Sequence, residues 1–379
     1  MRDVTIGIIG CGNISAAYLR GAAASRLVRV KSVADLRPEA SQARAAEFAV
    51  EATSIDRLLA DPEIEVVLNL TVPQAHVPVG LDVLSAGKHL YAEKPLGTTV
   101  AGGRQLLAKA EAAGLRIGCA PDTFMGGGHQ ACRRAIDTGL IGTPVAGHAA
   151  IQTRGMEHWH PDPTFFFKPG GGPVLDMGPY YVTQLVNMLG PVKSVMAQGS
   201  SGYAARVIGS GAKAGQEITV EVPTTVNAIL LFESGANITL SHSWDVWAHR
   251  RLPFEIYGTE GSLLVPDPNY FGGTPEFTRR NGAWEPLDIT AQPFGANNMQ
   301  HPLTGIALAN YRIIGLLDMA AGIALGRPHR ASGTLALHVL EVLEAIGLAA
   351  VEQRAVMIES RCDRPTPVPQ GQDETVLWQ

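Results

Sequence analysis

Over residues 1–122, short apolar runs alternate with longer alanine- and leucine-rich segments, and that alternation most limits what the chain can fold into. The runs VTIGIIG (4–10), RVKSVAD (29–35), EVVLNLTV (65–72), KHLYAE (88–93) and RIGCA (116–120) read as buried strands. Segments between them, such as AAYLRGAAAS and AGGRQLLAKAEAAG, read as helices. A nearly all-apolar strand needs cover on both faces, and strand–helix alternation supplies it in a parallel sheet. The expected fold class is α/β.

The pattern changes after residue 122. VAGHAAIQTR, VKSVMAQGS, TVNAILLFESG, NITLSHSWDV and PFEIYGTEGSLLV are strand-like, and FESGAN and YGTEGS read as hairpin connections. They predict a mainly antiparallel sheet in a second α/β domain over 123–379. Helical patterns flank it at 125–139, 177–189, 304–325 and 333–353. GSSGYAARVIGSGAKAGQ (199–216) holds few large apolar residues and reads as a loop excursion. The Pro-rich tail from Cys362 reads as extended.

With 46% hydrophobic and 17% charged residues in 379, the chain can bury a large core. A net charge of -5 and the lack of a basic run argue against a nucleic-acid partner. Cys11, Cys119, Cys132 and Cys362 form no C-x-x-C pair and read as reduced thiols of a cytoplasmic protein. The N-terminus runs straight into a strand pattern, leaving no room for a signal peptide. IIGLLDMAAGIALG is broken by Asp318 and too short to span a bilayer, so no membrane partner is expected.

The first strand ends in Gly10-Cys11-Gly12-Asn13-Ile14-Ser15 and a helix follows. Such a turn lets backbone N–H groups approach a pyrophosphate at the positive end of the helix. By itself the motif also fits any tight βα turn. Asp35, at the end of the second strand, stands where a ribose-binding acid belongs, which points to dinucleotide binding. A carboxylate there repels a 2′-phosphate and favours NAD, while Arg37 keeps NADP open. Thr71, Pro73 and His76 end a further strand, where they face the cofactor or simply start a helix.

HLYAEKPLG (89–97) then delivers Glu93, Lys94 and Pro95 at a strand end. With GIIGCGNIS, TVPQAH and GGGPVLDMGPYY in the same order and spacing, the chain resembles the family of glucose–fructose oxidoreductase, myo-inositol dehydrogenase and rhizopine-catabolism proteins over nearly its whole length. The resemblance implies an N-terminal Rossmann domain and an active site between two domains. It also implies a Lys94–Pro95 bond that is often cis, and Lys94 touching both substrate and the nicotinamide side of the cofactor. Glu93 joins the cofactor-binding set in this reading. It further implies a homodimer or homotetramer formed through the open sheet.

In GGGPVLDMGPYYVTQL (170–185), Asp176 and Tyr180 stand four apart on one helical face. The residues alone fit a capping aspartate and a packed tyrosine. The resemblance implies an acid–base pair, although the family often has histidine where Tyr180 stands. A free tyrosine ionises near pH ~10, and a lysine cation within about 4–6 Å favours the phenolate. Lys94 and His160 are competing bases. Tyr181 points elsewhere on the helix.

EHWHPDPTFFFKPGGG (157–172) suits a sugar, whose apolar face stacks while its hydroxyls bond; His160, Asp162 and Phe165 are the candidate contacts. His158-x-His160 lacks further ligands for a metal. His242, Trp244 and His249 read as sheet-face residues, and 336–351 as a core helix with a structural His338. The combined reading is NAD-dependent oxidation of a sugar hydroxyl (an aldose, including pentoses such as apiose) or of a cyclic polyol, or the reverse reduction. Two other classes stay open: an NAD-dependent glycoside-cleaving enzyme using transient oxidation, and a non-enzymatic dinucleotide sensor.

Overall fold

The computed structural model describes residues 3–160, 162–280, 282–300 and 305–379. Its contacts divide the chain into two compact units. One comprises Met1–Gly127, Thr290–Leu340 and Pro365–Gln379; the other comprises Gly128–Ile289 and Glu341–Arg364. The expected break after residue 122 lies close to the end of the first segment. A single boundary nevertheless misses the two later segments that return to the first unit.

The first unit carries β1 (Val4–Ile9), α1 (Ser15–Ala24), β2 (Val28–Ala34), α2 (Pro38–Phe48), β3 (Glu51–Ala52), α3 (Ile55–Ala60), β4 (Val66–Asn69), α4 (Pro73–Ser85), β5 (His89–Ala92), α5 (Val100–Ala112) and β6 (Ile117–Cys119). The strands pair in parallel in the order β3-β2-β1-β4-β5-β6. This is a Rossmann sheet, whose strand order reverses between β1 and β4 while every strand keeps the same direction. Every residue of β1 and β4 is buried, as a strand covered on both faces requires. Leu90, Leu96, Leu106 and Ile117 share one core with Leu337 and Leu340 of the returning segment. Burying those two leucines is worth ~1.5–3 kcal/mol each, which explains why that segment belongs to this unit.

The second unit carries α6 (Gly127–Asp137), β7 (Pro144–Gln152), α7 (Pro173–Leu189), β8 (Val192–Ser200), β9 (Ala205–Val207), β10 (Glu217–Thr219), β11 (Thr225–Phe232), β12 (Asn237–Ser243), β13 (Phe254–Gly258), β14 (Gly261–Leu264), β15 (Glu276–Arg279) and β16 (Glu285–Pro286). The chain then forms β17 (Met299–Gln300), β18 (Ala307–Leu308), α8 (Ile314–Leu325), α9 (Gly333–Glu352) and β19 (Val356–Met357). Nine strands form one sheet in the order β16-β15-β14-β13-β7-β12-β11-β8-β19. Its pairs are antiparallel except for β7 with β12. Residues alternate buried and exposed along β11, so one face is covered and the other open.

Three local expectations change. The 199–216 stretch is not all loop: β9 pairs with β10, and Arg206 on β9 is buried in ion pairs with Glu157 (2.8 Å) and Asp245. Ile208 and Ile218 extend that anchor into a cluster with Phe166, Phe167 and Trp244. The helix expected over 304–325 is Ile314–Leu325, with Thr304 outside the described residues. His249 lies exposed outside any strand, whereas His242 is on β12 and fully buried. Burial pushes the His242 imidazole down to about 3. Helix α9 is long and apolar enough to cross a membrane, yet Leu337, Leu340, Leu343 and Ile346 are buried within the fold, as is His338.

Candidate active site

In a parallel sheet the carboxyl ends of the strands lie along one edge, where ligands bind. The chain places Gly10 after β1, Asp35 after β2, Thr71 after β4 and Lys94 after β5 on that edge. Gly10 has φ +102°, and a Cβ there would lie 2.6 Å from the Leu70 carbonyl oxygen, so the tight turn requires glycine. Gly12 is exposed, and a Cβ built on it meets no atom within 4 Å. Its bare backbone, beside Asn13 and Ile14 at the start of α1, leaves room for a pyrophosphate. The residues present therefore fit a dinucleotide.

The Asp35 carboxylate accepts the Cys11 N–H (2.8 Å) and the Arg37 N–H (2.9 Å). It thus braces the glycine turn as well as standing where a ribose would bind. Ser15, in place of a third glycine, donates to the Gly12 carbonyl (2.6 Å) and accepts from Arg44 Nε (3.0 Å). Arg44 was not anticipated, because its role depends on α2 crossing the turn. Asp35→Ser should weaken NAD about 10- to 100-fold, from ~1.5–3 kcal/mol for a hydrogen bond to a charged group. It should also improve NADP relative to NAD. Titrating both cofactors checks this; a parent protein that already prefers NADP would make Arg37 the dominant residue.

Two residues of the expected cofactor-binding set, His76 and Glu93, are buried and brace the neighbouring loops. His76 is 1% exposed, and its ring bridges the carbonyls of Pro95 (2.6 Å) and Thr71 (3.1 Å). It ties the loop after β4 to the loop after β5. Pro73 occupies the first turn of α4, and Thr71 donates its hydroxyl to Asn69 (2.6 Å). Glu93 is likewise buried. It accepts Tyr18 Oη–H and Arg312 Nη1–H at 2.9 Å each and the Lys94 N–H at 2.8 Å. Burial pushes the Glu93 carboxyl up, but Arg312 and Lys94 outweigh it and hold the group below its usual range. Glu93 therefore positions Lys94. Lys94 is half-buried, and its bond to Pro95 is cis.

In the second unit, Pro173 starts α7 after Gly172, whose φ is +93°. Asp176 lies in its first turn, and Tyr180 follows four residues later on the same face, 6% exposed. Tyr181 faces the sheet instead: its hydroxyl donates to Asp267 (3.3 Å) and its ring packs on His242 and Phe254. In the loop before α7, the His160 ring meets Trp159, Phe165 and Phe166 edge-on. Phe165 stays 49% exposed, a free apolar surface. Asp162 is engaged by Lys213 (2.7 Å) and Thr164 (3.0 Å), which hold its carboxyl below the usual range. This pairing staples the loop while the Asp162 side chain stays 55% exposed. Among the described residues no three His, Cys, Asp or Glu side chains form a metal-ligand set.

A Rossmann sheet with a fitting glycine turn, joined to a second α/β unit with an open sheet, defines a dinucleotide-binding protein. Residues 4–120 match the oxidoreductase family with an NAD-binding Rossmann fold, and residues 129–264 match the GFO/IDH/MocA C-terminal domain. The chain belongs to this GFO/IDH/MocA family of NAD-binding oxidoreductases. It is 28% identical over 265 residues to 1,5-anhydro-D-fructose reductase of Ensifer adhaerens, spanning 68% of this chain and 74% of that protein. It is 24% identical over 360 residues to levoglucosan dehydrogenase of Pseudarthrobacter phenanthrenivorans, spanning 86% and 90%. In structure, it resembles an NAD-binding oxidoreductase from Klebsiella pneumoniae at TM-score 0.80 and 22% identity, covering 95% of this chain and 100% of that one. It matches levoglucosan dehydrogenase in complex with NADH and levoglucosan with the same TM-score, identity and coverage.

Proposed function

We propose that the protein oxidises a hydroxyl of a sugar or cyclic polyol with NAD, or runs the reverse reduction. One observation carries this reading: Lys94 stands on the same sheet edge as the Asp35-braced glycine turn, with its main chain held by Glu93. Named relatives act on related molecules, among them levoglucosan and inositol. Bound NAD supplies the hydride acceptor. Lys94 then orients the reacting hydroxyl, Tyr180 takes its proton and Asp176 holds a neighbouring hydroxyl. Phe165 and His160 offer an apolar and a polar contact for the ring. Aldoses, pentoses such as apiose, and cyclic polyols are the substrate classes to screen.

The test is a panel of free sugars and polyols with NAD, followed at the absorbance band of reduced nicotinamide. A subset of related sugars should give steady turnover. Release of free sugar from a glycoside without net reduced cofactor would favour the glycoside-cleaving reading; cofactor binding with no turnover on any substrate would favour a sensor. We also propose a homo-oligomer built on the open sheet face, where Met196 and Ile229 pair directly across β8 and β11 and are both exposed. Light scattering of Ile229→Glu should then show a smaller species than the parent.

A further inference from the structure

We infer that Arg312 is a positioning residue for Lys94, acting through the Glu93 carboxylate, which it fixes as acceptor of the Lys94 N–H. This rests on Lys94 having the role proposed above.

Three observations converge on it. First, the Glu93 oxygens are divided: Oε1 accepts from Arg312 and Tyr18, and Oε2 accepts from the Lys94 N–H. Arg312 and Glu93 side chains are only 14% and 9% exposed, so the pair is shielded from water. Tyr18 lies on α1, the helix that starts at the glycine turn. The cluster thus joins the turn helix, the end of β5 and the returning segment, three stretches far apart in sequence.

Second, the backbone beside Arg312 is strained. Ile313 has φ +103° and ψ -14°, a conformation costly for a β-branched residue. The buried Asp122 carboxylate holds it there by accepting the N–H groups of Ile313 (3.1 Å) and Gly315 (2.9 Å). Third, the backbone of this segment packs closely on α1 at Gly21. A Cβ at Gly21 of α1 would lie 2.6 Å from the Arg312 carbonyl oxygen and 2.6 Å from Ile313 Cγ2. Strain of this kind persists where surrounding structure over-determines it and serves a site. Here it delivers one guanidinium to Glu93.

Two readouts test the assignment. The first is independent of turnover: residue-resolved hydrogen exchange at the Lys94 amide. Arg312→Met should speed exchange there, while the Leu90 amide, bonded to the Arg116 carbonyl, stays protected. Arg312→Lys, which keeps the charge, should restore most of the protection. Tyr18→Phe removes the other donor to Oε1 and should speed Lys94 exchange by less. The second readout is kinetic. Arg312→Met should lower kcat about 10- to 100-fold, the order expected from a displacement under ~1 Å, with little change in the Kd for NAD. Arg312 also lines a cavity of about 680 Å³, so added guanidinium ion should reach the gap and recover part of the rate. Unchanged Lys94 exchange in Arg312→Met overturns the inference, whatever Tyr18→Phe shows. A parent protein inactive on every sugar and polyol would defeat the functional reading, and the exchange experiment would still decide whether Arg312 positions Lys94.

Discussion

Replacing Lys94 with methionine should lower kcat about 100-fold while NAD still binds, because misplacing a reacting group by ~1 Å costs that order of rate. Methionine keeps much of the aliphatic stem but removes the ammonium. The Lys94 N–H can still reach Glu93, so the loop should keep its shape. That separates chemistry from folding: the Kd for NAD stays near the parent value while turnover falls. Stopped-flow measurement of reduced cofactor would place the loss in the hydride-transfer step. A Lys94→Met enzyme with parental kcat would return the residue to an ordinary strand-end lysine.

Replacing Tyr180 with phenylalanine should have a comparable or larger effect. Removing a general base typically costs about 100- to 10,000-fold. The ring is 6% exposed on α7, so phenylalanine keeps the packing and deletes only the hydroxyl. The loss should fall on kcat, with a modest change in KM. Tyr181→Phe is the matched control, since its hydroxyl bonds Asp267 and its ring lies against the sheet. It should lose stability before it loses rate. If Tyr180→Phe retains most of its kcat, Lys94 or His160 becomes the base and Tyr180 a packing residue.

The parts of this account legible in the sequence are those written in local patterns. The apolar runs of β1 and β4 announce a sheet covered on both faces, and the order Gly10, Gly12, Asp35 announces the nucleotide turn. The period-two strands around β11 and β12 give the antiparallel sheet. What was not legible depends on contacts distant along the chain. Arg312 meets Glu93 across 219 positions, and neither residue carries a local mark of the other. Arg206 looked like loop because its stretch is poor in large apolar residues; its burial is offset by the carboxylates of Glu157 and Asp245. His76 and Glu93 follow the carboxyl ends of β4 and β5. Their side chains turn inward, however, because the loops they brace hold main-chain groups in need of partners. Asp162 is a candidate contact by its place in an aromatic loop, and only the fold brings Lys213 to it.

The central claim is that hydride passes from a substrate carbon to NAD. The most direct measurement uses the best sugar or polyol from the panel, deuterated at the carbon that is oxidised, with the cofactor and product analysed by mass spectrometry. One deuterium should appear in the reduced cofactor for each substrate oxidised, and the rate of hydride transfer should fall. A product that retains its deuterium, or reduced cofactor that carries none, would contradict the account.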